Sequence, residues 1–189
     1  MDRTSMIERV RAEMPEKRWK HTEGVMATAI ILANRYGEDA KRAELAAILH
    51  DVAKFWPTVR QGNVIRDNNL PIDVLNYDKE LWHASVGAWV AEHEFGVTDV
   101  GVLDAIRYHT SGRRGMTKLE KIVWLADYIE PGRDFPGVDH VRAISEVNLE
   151  EAILAGLDGT LSFLIAKGVR IYPLTIEARN SLIEEIKGG

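Results

Sequence analysis

Apolar residues recur every three to four positions along nearly the whole chain, which is the spacing of one face of an α-helix. In one such segment Trp19, Val25, Met26 and Ile30 follow this spacing. No segment shows a convincing alternation of apolar and polar residues over the length of a β-strand. The pattern therefore predicts an all-α fold, a bundle of helices that bury their apolar faces against one another.

Capping residues, glycines and prolines indicate where the helices begin and end. A first helix is expected to stop before Pro15, and a second runs from Glu16 to about Gly37. Residues 61–79 are polar and interrupted by glycine and proline, so we expect a loop with short helical turns there. The other expected helices cover residues 39–55, 80–95, 98–110, 117–130, 148–167 and 175–187.

The length and the lack of internal boundaries favour one domain. The chain has 189 residues, which suits one sizeable helical domain better than two small ones. No repeat and no linker rich in serine, glycine or proline divides it. We expect residues 1–189 to form a single domain.

Composition excludes several classes of protein and partner. Cysteine is absent, which excludes disulfides, thiolate metal sites, iron–sulfur clusters and cysteine nucleophiles. The net charge of −5 lacks the broad basic surface of a nucleic-acid binder. No apolar run approaches the ~20 residues that cross a membrane, and the N-terminus lacks the apolar region of a signal peptide. We expect a cytoplasmic protein that binds neither nucleic acid nor membrane. The chain contains five tryptophans, which are compatible with a homodimer.

Four of the six histidines and two aspartates lie in otherwise apolar or small surroundings, spread over five successive predicted helices. A buried carboxylate without a partner costs several kcal/mol and normally protonates. Asp127 shares its helix face with Val123 and Trp124, so it needs a salt bridge or a metal ion. We call the six residues the His/Asp cluster: His21, His50, Asp51, His83, His109 and Asp127.

No member of the His/Asp cluster is convincing alone, because a single histidine is more often a packed core residue than a ligand. Helices packed around one core can, however, direct such side chains to one point. Imidazoles and carboxylates would then surround a cation, and these donors favour iron, manganese, zinc or cobalt. The joint pattern thus indicates a metal site.

Longer stretches of the sequence resemble a known family. They are HTEGVMATA, ELAAILHDVAK, HASVGAWVA, the segment 106–139 that begins IRYHTSGRRGMTK, and IYPLTIEARN. These stretches resemble the HD-domain superfamily of metal-dependent phosphohydrolases, named for its His-Asp doublet. The closer similarity is to its bacterial YqeK-like branch of symmetrical bis(5′-nucleosyl)-tetraphosphatases, and it extends from about Arg18 to Asn180.

The resemblance implies a metal centre and a reaction. It implies that His21, His50, Asp51 and Asp127 hold the metal, iron in this family, with manganese, cobalt or zinc as alternatives. His83 and His109 would complete a second metal position or contact phosphates, so one ion and two ions both fit. The implied reaction cleaves diadenosine tetraphosphate at its middle into two ADP by metal-activated water, with His50, Asp51 and Lys54 as catalytic residues.

Several residues are candidates for contacting the substrate. Lys54 is expected on the same side of its helix as His50 and Asp51, which favours a phosphate contact over a solvent-exposed lysine. Arg133 follows the Asp127 helix, and a guanidinium can bind phosphate with two hydrogen bonds. The resemblance adds the segment GVRIYPLT. The full predicted set is Arg18, Lys54, His83, His109, Thr110, Arg133, Arg170, Tyr172 and Thr175.

Three other functions remain open at this point. The chain could be an HD phosphohydrolase acting on another nucleotide, for which the segment IYPLTIEARN is the discriminating feature. It could be a non-catalytic nucleotide-binding regulator, which measurable hydrolysis would exclude. It could also be an iron oxygenase on the same scaffold, which oxygen-independent activity would exclude.

Overall fold

The computed structural model describes residues 2–188, and in that range the chain forms ten α-helices, two 3₁₀ helices and no strand. The predicted all-α fold is confirmed. No helix among these residues is both long enough and apolar enough to cross a membrane. The α-helices are α1 (Arg3–Ala12), α2 (Glu16–Tyr36), α3 (Ala40–Leu49), α4 (Thr58–Asp67), α5 (Trp82–His93), α6 (Val100–Arg107), α7 (Lys118–Ile129), α8 (Val138–Ser145), α9 (Leu149–Ala166) and α10 (Pro173–Gly188).

Side-chain caps begin several helices, and those of α7 and α9 lie at the predicted starts. The Asp2 carboxylate accepts a hydrogen bond from the Ser5 amide at the start of α1. Thr117 and Glu120 form a capping box at the start of α7. The Asn148 side chain accepts a hydrogen bond from the Glu151 amide at the start of α9. These side chains satisfy amide groups that have no partner in the first turn of a helix.

The end of α3 differs from the prediction, because α3 stops at Leu49 instead of continuing to about residue 55. The Ala47 carbonyl is bound by the His50 ring at 2.6 Å, and the backbone continues in tight turns such as Val52 N–H to Leu49 O. The His-Asp doublet therefore lies in a turn. Lys54 lies in that turn as well, and not on a helix face as expected.

The prediction of a loop over residues 61–79 is wrong for the first part of that segment. α4 extends to Asp67, and two 3₁₀ helices, Ile72–Asn76 and Lys79–Leu81, follow it. Glycine inside a helix costs about 1 kcal/mol relative to alanine. Gly62 is nevertheless buried in α4 together with Ile65, and α4 packs against α5. Tertiary packing therefore outweighs the weak local preference for a helix.

A second unpredicted helix, α8, lies in the long connection between α7 and α9. It is only eight residues long and buries Val138 and Val141 against the bundle. Two turns provide too few apolar positions for a periodic signal, so α8 depends on its contacts with α7 and α9. The other helix boundaries agree with the prediction within a few residues.

Helix α7 is the centre of the bundle and contacts α2, α3, α6, α8 and α9. Ile122 and Leu125 on α7 are fully enclosed. Lys121 is buried too, and its Nζ lies 2.9 Å from Glu150 Oε1 on α9 and 2.6 Å from Glu185 Oε2 on α10. Buried hydrophobic side chains from almost every helix join one core, which supports the single domain that we propose for residues 1–189.

Removing side-chain volume at the centre of α7 is expected to destabilise the fold strongly. Ile122→Ala creates a cavity and should lower the free energy of unfolding by about 2–5 kcal/mol, measured by urea denaturation. Ile165→Ala is the matched control, because Ile165 lies on α9 with 67% of its surface exposed and should change stability by less than ~0.5 kcal/mol. Equal losses for the two variants would contradict the central position of α7.

Candidate metal centre

Five helices contribute to the His/Asp cluster: α2, α3, α5, α6 and α7. The prediction that these five helices are successive is wrong, because α4 lies between α3 and α5. Three members lie in turns where a helix ends, since His50 and Asp51 follow α3 and His109 follows α6. The other three lie on helices, His21 on α2, His83 on α5 and Asp127 on α7.

The structure brings the polar atoms of these side chains together. His21, His50 and Asp127 each place one such atom within 4.8 Å of the other two. His50, Asp51 and His109 form a second group with the same property. His50 belongs to both groups, so the arrangement is one continuous cluster and is compatible with one ion or with two.

His83 and His109 form the other side of the cluster. The Nε2 atom of His83 lies 3.0 Å from Asp51 Oδ1 and 3.1 Å from His109 Nε2. Both rings are buried. The two imidazoles therefore contact the same carboxylate that follows His50, and they do so from α5 and from the end of α6.

Backbone carbonyl groups orient two of the rings. The Nδ1 atom of His50 lies 2.6 Å from Ala47 O, and that of His109 lies 2.7 Å from Ile106 O. A carbonyl only accepts hydrogen bonds, so each Nδ1 must carry the hydrogen and donate it. In its neutral form each ring then has its lone pair on Nε2, which points into the cluster. Metal-binding histidines are typically held in this way.

Glu130, which the sequence analysis did not identify, orients a third ring. This buried carboxylate places Oε1 3.0 Å from His21 Nδ1, and its Oε2 accepts a hydrogen bond from the Gly132 amide at 2.6 Å. Gly24 permits this approach, because a Cβ atom at position 24 would collide with the carboxylate. A glycine inside α2, one turn after His21, was the signal that could have revealed the contact.

Both carboxylates of the cluster are ionised. Burial by itself raises the pKa of Asp51, but the His50 imidazole outweighs it and holds that pKa well below its usual value. Burial also raises the pKa of Asp127, yet the His21 ring and the Arg133 guanidinium lower it well below the usual range. The cluster thus contains two negative charges, fully buried on Asp51 and partly buried on Asp127, that need cationic partners.

At least one imidazole of the cluster is neutral. Burial, reinforced by the neighbouring His83 and His50 rings, lowers the pKa of His109 to about 3. At neutral pH this ring carries no charge, and its Nε2 keeps a free lone pair. Imidazole binds metals only in this deprotonated form.

A divalent cation fits the arrangement. The His21 Nε2, His50 Nε2 and Asp51 Oδ1 atoms are buried and form no well-directed hydrogen bond within residues 2–188, although His21 Nε2 lies 3.0 Å from Asp127 Oδ1 and Asp51 Oδ1 lies 3.0 Å from His83 Nε2. Buried polar atoms are nearly always satisfied. A cation would satisfy all three atoms at once, and their imidazole and carboxylate donors suit iron, manganese, cobalt or zinc. The cluster therefore has the chemistry of a divalent metal site.

A cavity of about 420 Å³ opens beside the cluster, and we call it the main cavity. His83, His109 and Asp127 form part of its wall, whereas His50 and Asp51 are fully buried behind them. Every predicted substrate contact lies in the lining. These residues are Arg18, Lys54, His83, His109, Thr110, Arg133, Arg170, Tyr172 and Thr175.

Two arginines pair with the cluster carboxylates at the edge of the main cavity. Arg18 forms an ion pair with Asp51. Arg133 places Nη2 2.5 Å from Asp127 Oδ1, and its Nε donates to the Asp127 backbone carbonyl at 2.8 Å. Each guanidinium therefore lies next to the cluster and also faces the space in which a ligand would lie.

The other predicted contacts lie farther along the cavity wall. Lys54 Nζ is 3.3 Å from Glu80 Oε2. Arg170 is exposed and donates to the Asn76 carbonyl at 3.3 Å. Tyr172 is buried, and this burial raises the pKa of its phenol, so the hydroxyl stays neutral.

An aromatic wall, which the sequence analysis did not assign to the site, completes the main cavity. Trp124 and Tyr128 on α7 stack at 5.2 Å between ring centroids, and Phe135 meets the Tyr128 ring edge-on at 5.1 Å. Phe163 on α9 is another lining residue. Trp124 and Tyr128 are four residues apart on either side of Asp127, and this spacing around a candidate ligand was the available signal.

Comparison with known proteins decides the family. Residues 18–132, more than half of the chain, match the family model of the HD domain. The chain belongs to the HD-domain family. The predicted resemblance is confirmed, and the His-Asp doublet of this HD-domain chain is His50-Asp51.

Relatives of this HD-domain chain match it over nearly its whole length. A symmetrical bis(5′-nucleosyl)-tetraphosphatase of Bacillus subtilis (strain 168) is 48% identical over 97% of this chain and 98% of its own length. A protein of the same name from Halalkalibacterium halodurans is 46% identical over 99% and 100% of the two chains. The crystal structure of a predicted HD superfamily hydrolase involved in NAD metabolism, from Clostridium acetobutylicum, superposes with a TM-score of 0.94 at 38% identity and 98% coverage of both chains.

Neutralising Glu130 is expected to weaken metal binding. Glu130→Gln keeps the shape of the side chain but removes the negative charge that strengthens His21 as a ligand, so the Mn²⁺ dissociation constant should rise about 10–100-fold in calorimetric titrations. Glu120→Gln is the matched control, because Glu120 is equally buried on α7 but binds Arg113, outside the cluster. Equal weakening of Mn²⁺ binding in both variants would show that Glu130 acts only through general stability.

Proposed function

We propose that this HD-domain chain hydrolyses diadenosine tetraphosphate symmetrically and releases two ADP. The observation that carries the proposal is the junction of the buried His/Asp cluster with a cavity whose wall contains Arg18, Lys54 and Arg133. The names of the two relatives, at 48% and 46% identity over nearly full length, support the same reaction. On a chain with a net charge of −5, these local cations are what an anionic substrate requires.

The metal is assigned to His21, His50, Asp51 and Asp127, and His83 and His109 either complete a second metal position or contact phosphates. Iron is the proposed metal, with manganese, cobalt or zinc as alternatives. A bound divalent cation lowers the pKa of water from 15.7 toward ~7 and neutralises oxygens on the phosphorus under attack. The orphaned Nε2 and Oδ1 atoms of the cluster support this assignment.

Arg18 and Arg133 are proposed to bind the bridging phosphates. Both guanidinium groups lie at the junction of the cluster and the main cavity, and each can hold two phosphate oxygens with parallel hydrogen bonds. Lys54 provides a further positive charge on the same wall. These side chains would orient the phosphate chain so that an inner phosphorus meets the water held at the cluster.

Symmetric cleavage follows from the size of the main cavity. A volume of about 420 Å³ is near the lower end of the ~300–1,000 Å³ range of ligand pockets, which suits one nucleoside diphosphate half of the substrate. In the reaction, the water oxygen bonds to one inner phosphorus and the bond from that phosphorus to the central bridging oxygen breaks. The second ADP departs as a stable anion, so no strong general acid is required.

The reaction products test the proposal directly. Incubation of the protein with diadenosine tetraphosphate and Fe²⁺ or Mn²⁺ in ¹⁸O-labelled water should yield ADP alone, with one labelled oxygen per pair of ADP molecules. Mass spectrometry of the separated nucleotides measures both results. AMP together with ATP would refute symmetric cleavage, and a panel of other nucleotides shows whether another substrate is preferred.

Removing one cluster carboxylate is expected to abolish both metal binding and turnover. Elemental analysis of Asp51→Asn should show that the bound metal is lost, and kcat should fall by more than ~100-fold. This loss is larger than the ~10–100-fold that is typical when a hydrogen-bond partner of a metal ligand is replaced. Asp158→Asn is the control, because Asp158 pairs with Arg179 away from the cluster. Full activity of Asp51→Asn, or activity of the original protein after complete removal of metal, would contradict the assignment.

Three further expectations from the sequence remain predictions. The first is that residues 1–189 form a single domain, and the second is that a homodimer is one of the oligomeric states compatible with the chain. The third is a cytoplasmic location. Of the alternative functions, hydrolysis of another nucleotide differs from the proposal only in the ligand of the main cavity, and the same product assay with other nucleotides examines it.

A further inference from the structure

The main cavity has room for only half of the proposed substrate. Diadenosine tetraphosphate consists of two nucleoside diphosphate halves, whereas the cavity volume of about 420 Å³ suits one of them. If the phosphate chain is cut at its middle beside the cluster, the second half must lie outside the main cavity. This reasoning rests on the function proposed above.

A second cavity lies in that direction, and we call it the α2 groove. It has a volume of about 630 Å³ and is open to solvent between the start of α2 and the Pro131-Gly132 turn. The lining residues that matter here are Lys17, Arg18, Lys20, His21, Phe55 and Arg133.

The His/Asp cluster separates the α2 groove from the main cavity. Arg18 and Arg133 line both cavities. His21 lines the groove, Asp127 lines the main cavity, and their Nε2 and Oδ1 atoms are 3.0 Å apart. A phosphate chain that extends from one cavity to the other would therefore pass directly over the cluster between the two arginines.

The charges of the α2 groove suit phosphate. Lys17 and Lys20 are exposed, and neither has an ion-pair partner in the part of the chain that the structure describes. The two shared arginines add guanidinium groups that already pair with Asp51 and Asp127, in a protein of net charge −5. The acidic residue in the lining is Glu130, whose carboxylate is already bound to His21 and to the Gly132 amide.

The α2 groove also offers a surface for a nucleobase. Phe55 is 49% exposed although it is a large apolar side chain, and it lies in the turn that follows the His-Asp doublet. Pro15 and Pro131 add apolar surface to the same groove. An exposed aromatic ring near cationic side chains is the usual platform on which a base stacks.

We propose that the α2 groove binds the second nucleoside diphosphate of the substrate, with its phosphates at Lys17 and Lys20 and its base against Phe55. Each half then occupies its own cavity, and the central bridge of the tetraphosphate lies at the cluster. Cleavage at the middle thus follows from one binding site on each side of the metal centre.

The number of ADP molecules that bind tests the proposal independently of turnover. Calorimetric titration of the metal-loaded protein with ADP should give two sites per chain, and the triple variant Lys17→Gln, Lys20→Gln, Phe55→Ala should give one. The double variant Lys41→Gln, Lys187→Gln removes the same charge from exposed residues outside both cavities and should keep two sites. A single ADP site in the original protein, or two sites in the triple variant, would overturn the proposal.

Kinetics distinguishes this proposal from the proposed function. Phe55→Ala should raise KM for diadenosine tetraphosphate about tenfold, the effect of one lost stacking contact. KM for adenosine 5′-tetraphosphate, which has one base only, should not change. Equal changes for both substrates, or no change for either, would overturn the α2 groove proposal while symmetric hydrolysis stands. If neither substrate is cleaved, the proposed function fails, and the ADP titration still decides whether the groove binds a nucleotide.

Discussion

Two ionised carboxylates lie among the packed helices, Asp51 fully buried and Asp127 at the wall of the main cavity, and the rest of the site is arranged around them. Removing a charge from water costs several kcal/mol, so each carboxylate must have cationic or hydrogen-bonding partners. Imidazoles surround both, and Arg18 and Arg133 pair with one each. Three buried ring and carboxylate atoms are still unsatisfied, and a divalent cation accounts for the geometry and for the charge together.

The helices maintain this arrangement through local features. α3 and α6 end where a ring nitrogen, His50 Nδ1 or His109 Nδ1, binds a carbonyl of its own last turn, and these bonds direct the opposite nitrogens into the cluster. The central helix α7 supplies Asp127 from a face that is otherwise packed into the core. Lys121, on the same helix, ties α7 to α9 and α10, which carry the far wall of the main cavity. Fold and site therefore depend on the same packed helix.

Much of this arrangement could be predicted from the sequence, because helical periodicity and caps such as Thr117 are local signals. The six residues of the cluster were recognisable since polar side chains stand out in apolar surroundings. The end of α3 was not predictable, because a side chain binds the Ala47 carbonyl there. α4 and α8 depend on tertiary contacts that short sequence windows do not reveal. Glu130 escaped notice for the same reason, since it acts on His21 from a residue 109 positions away.

The position of the metal ion tests the central claim most directly. Crystals of the protein grown with Mn²⁺ should show anomalous scattering from an ion within bonding distance of His50 Nε2 and the Asp51 carboxylate, with His21 and Asp127 completing its coordination. Arg18 and Arg133 should then be free to face the cavities. No anomalous density in the cluster at saturating Mn²⁺, or density only at surface carboxylates, would contradict the account.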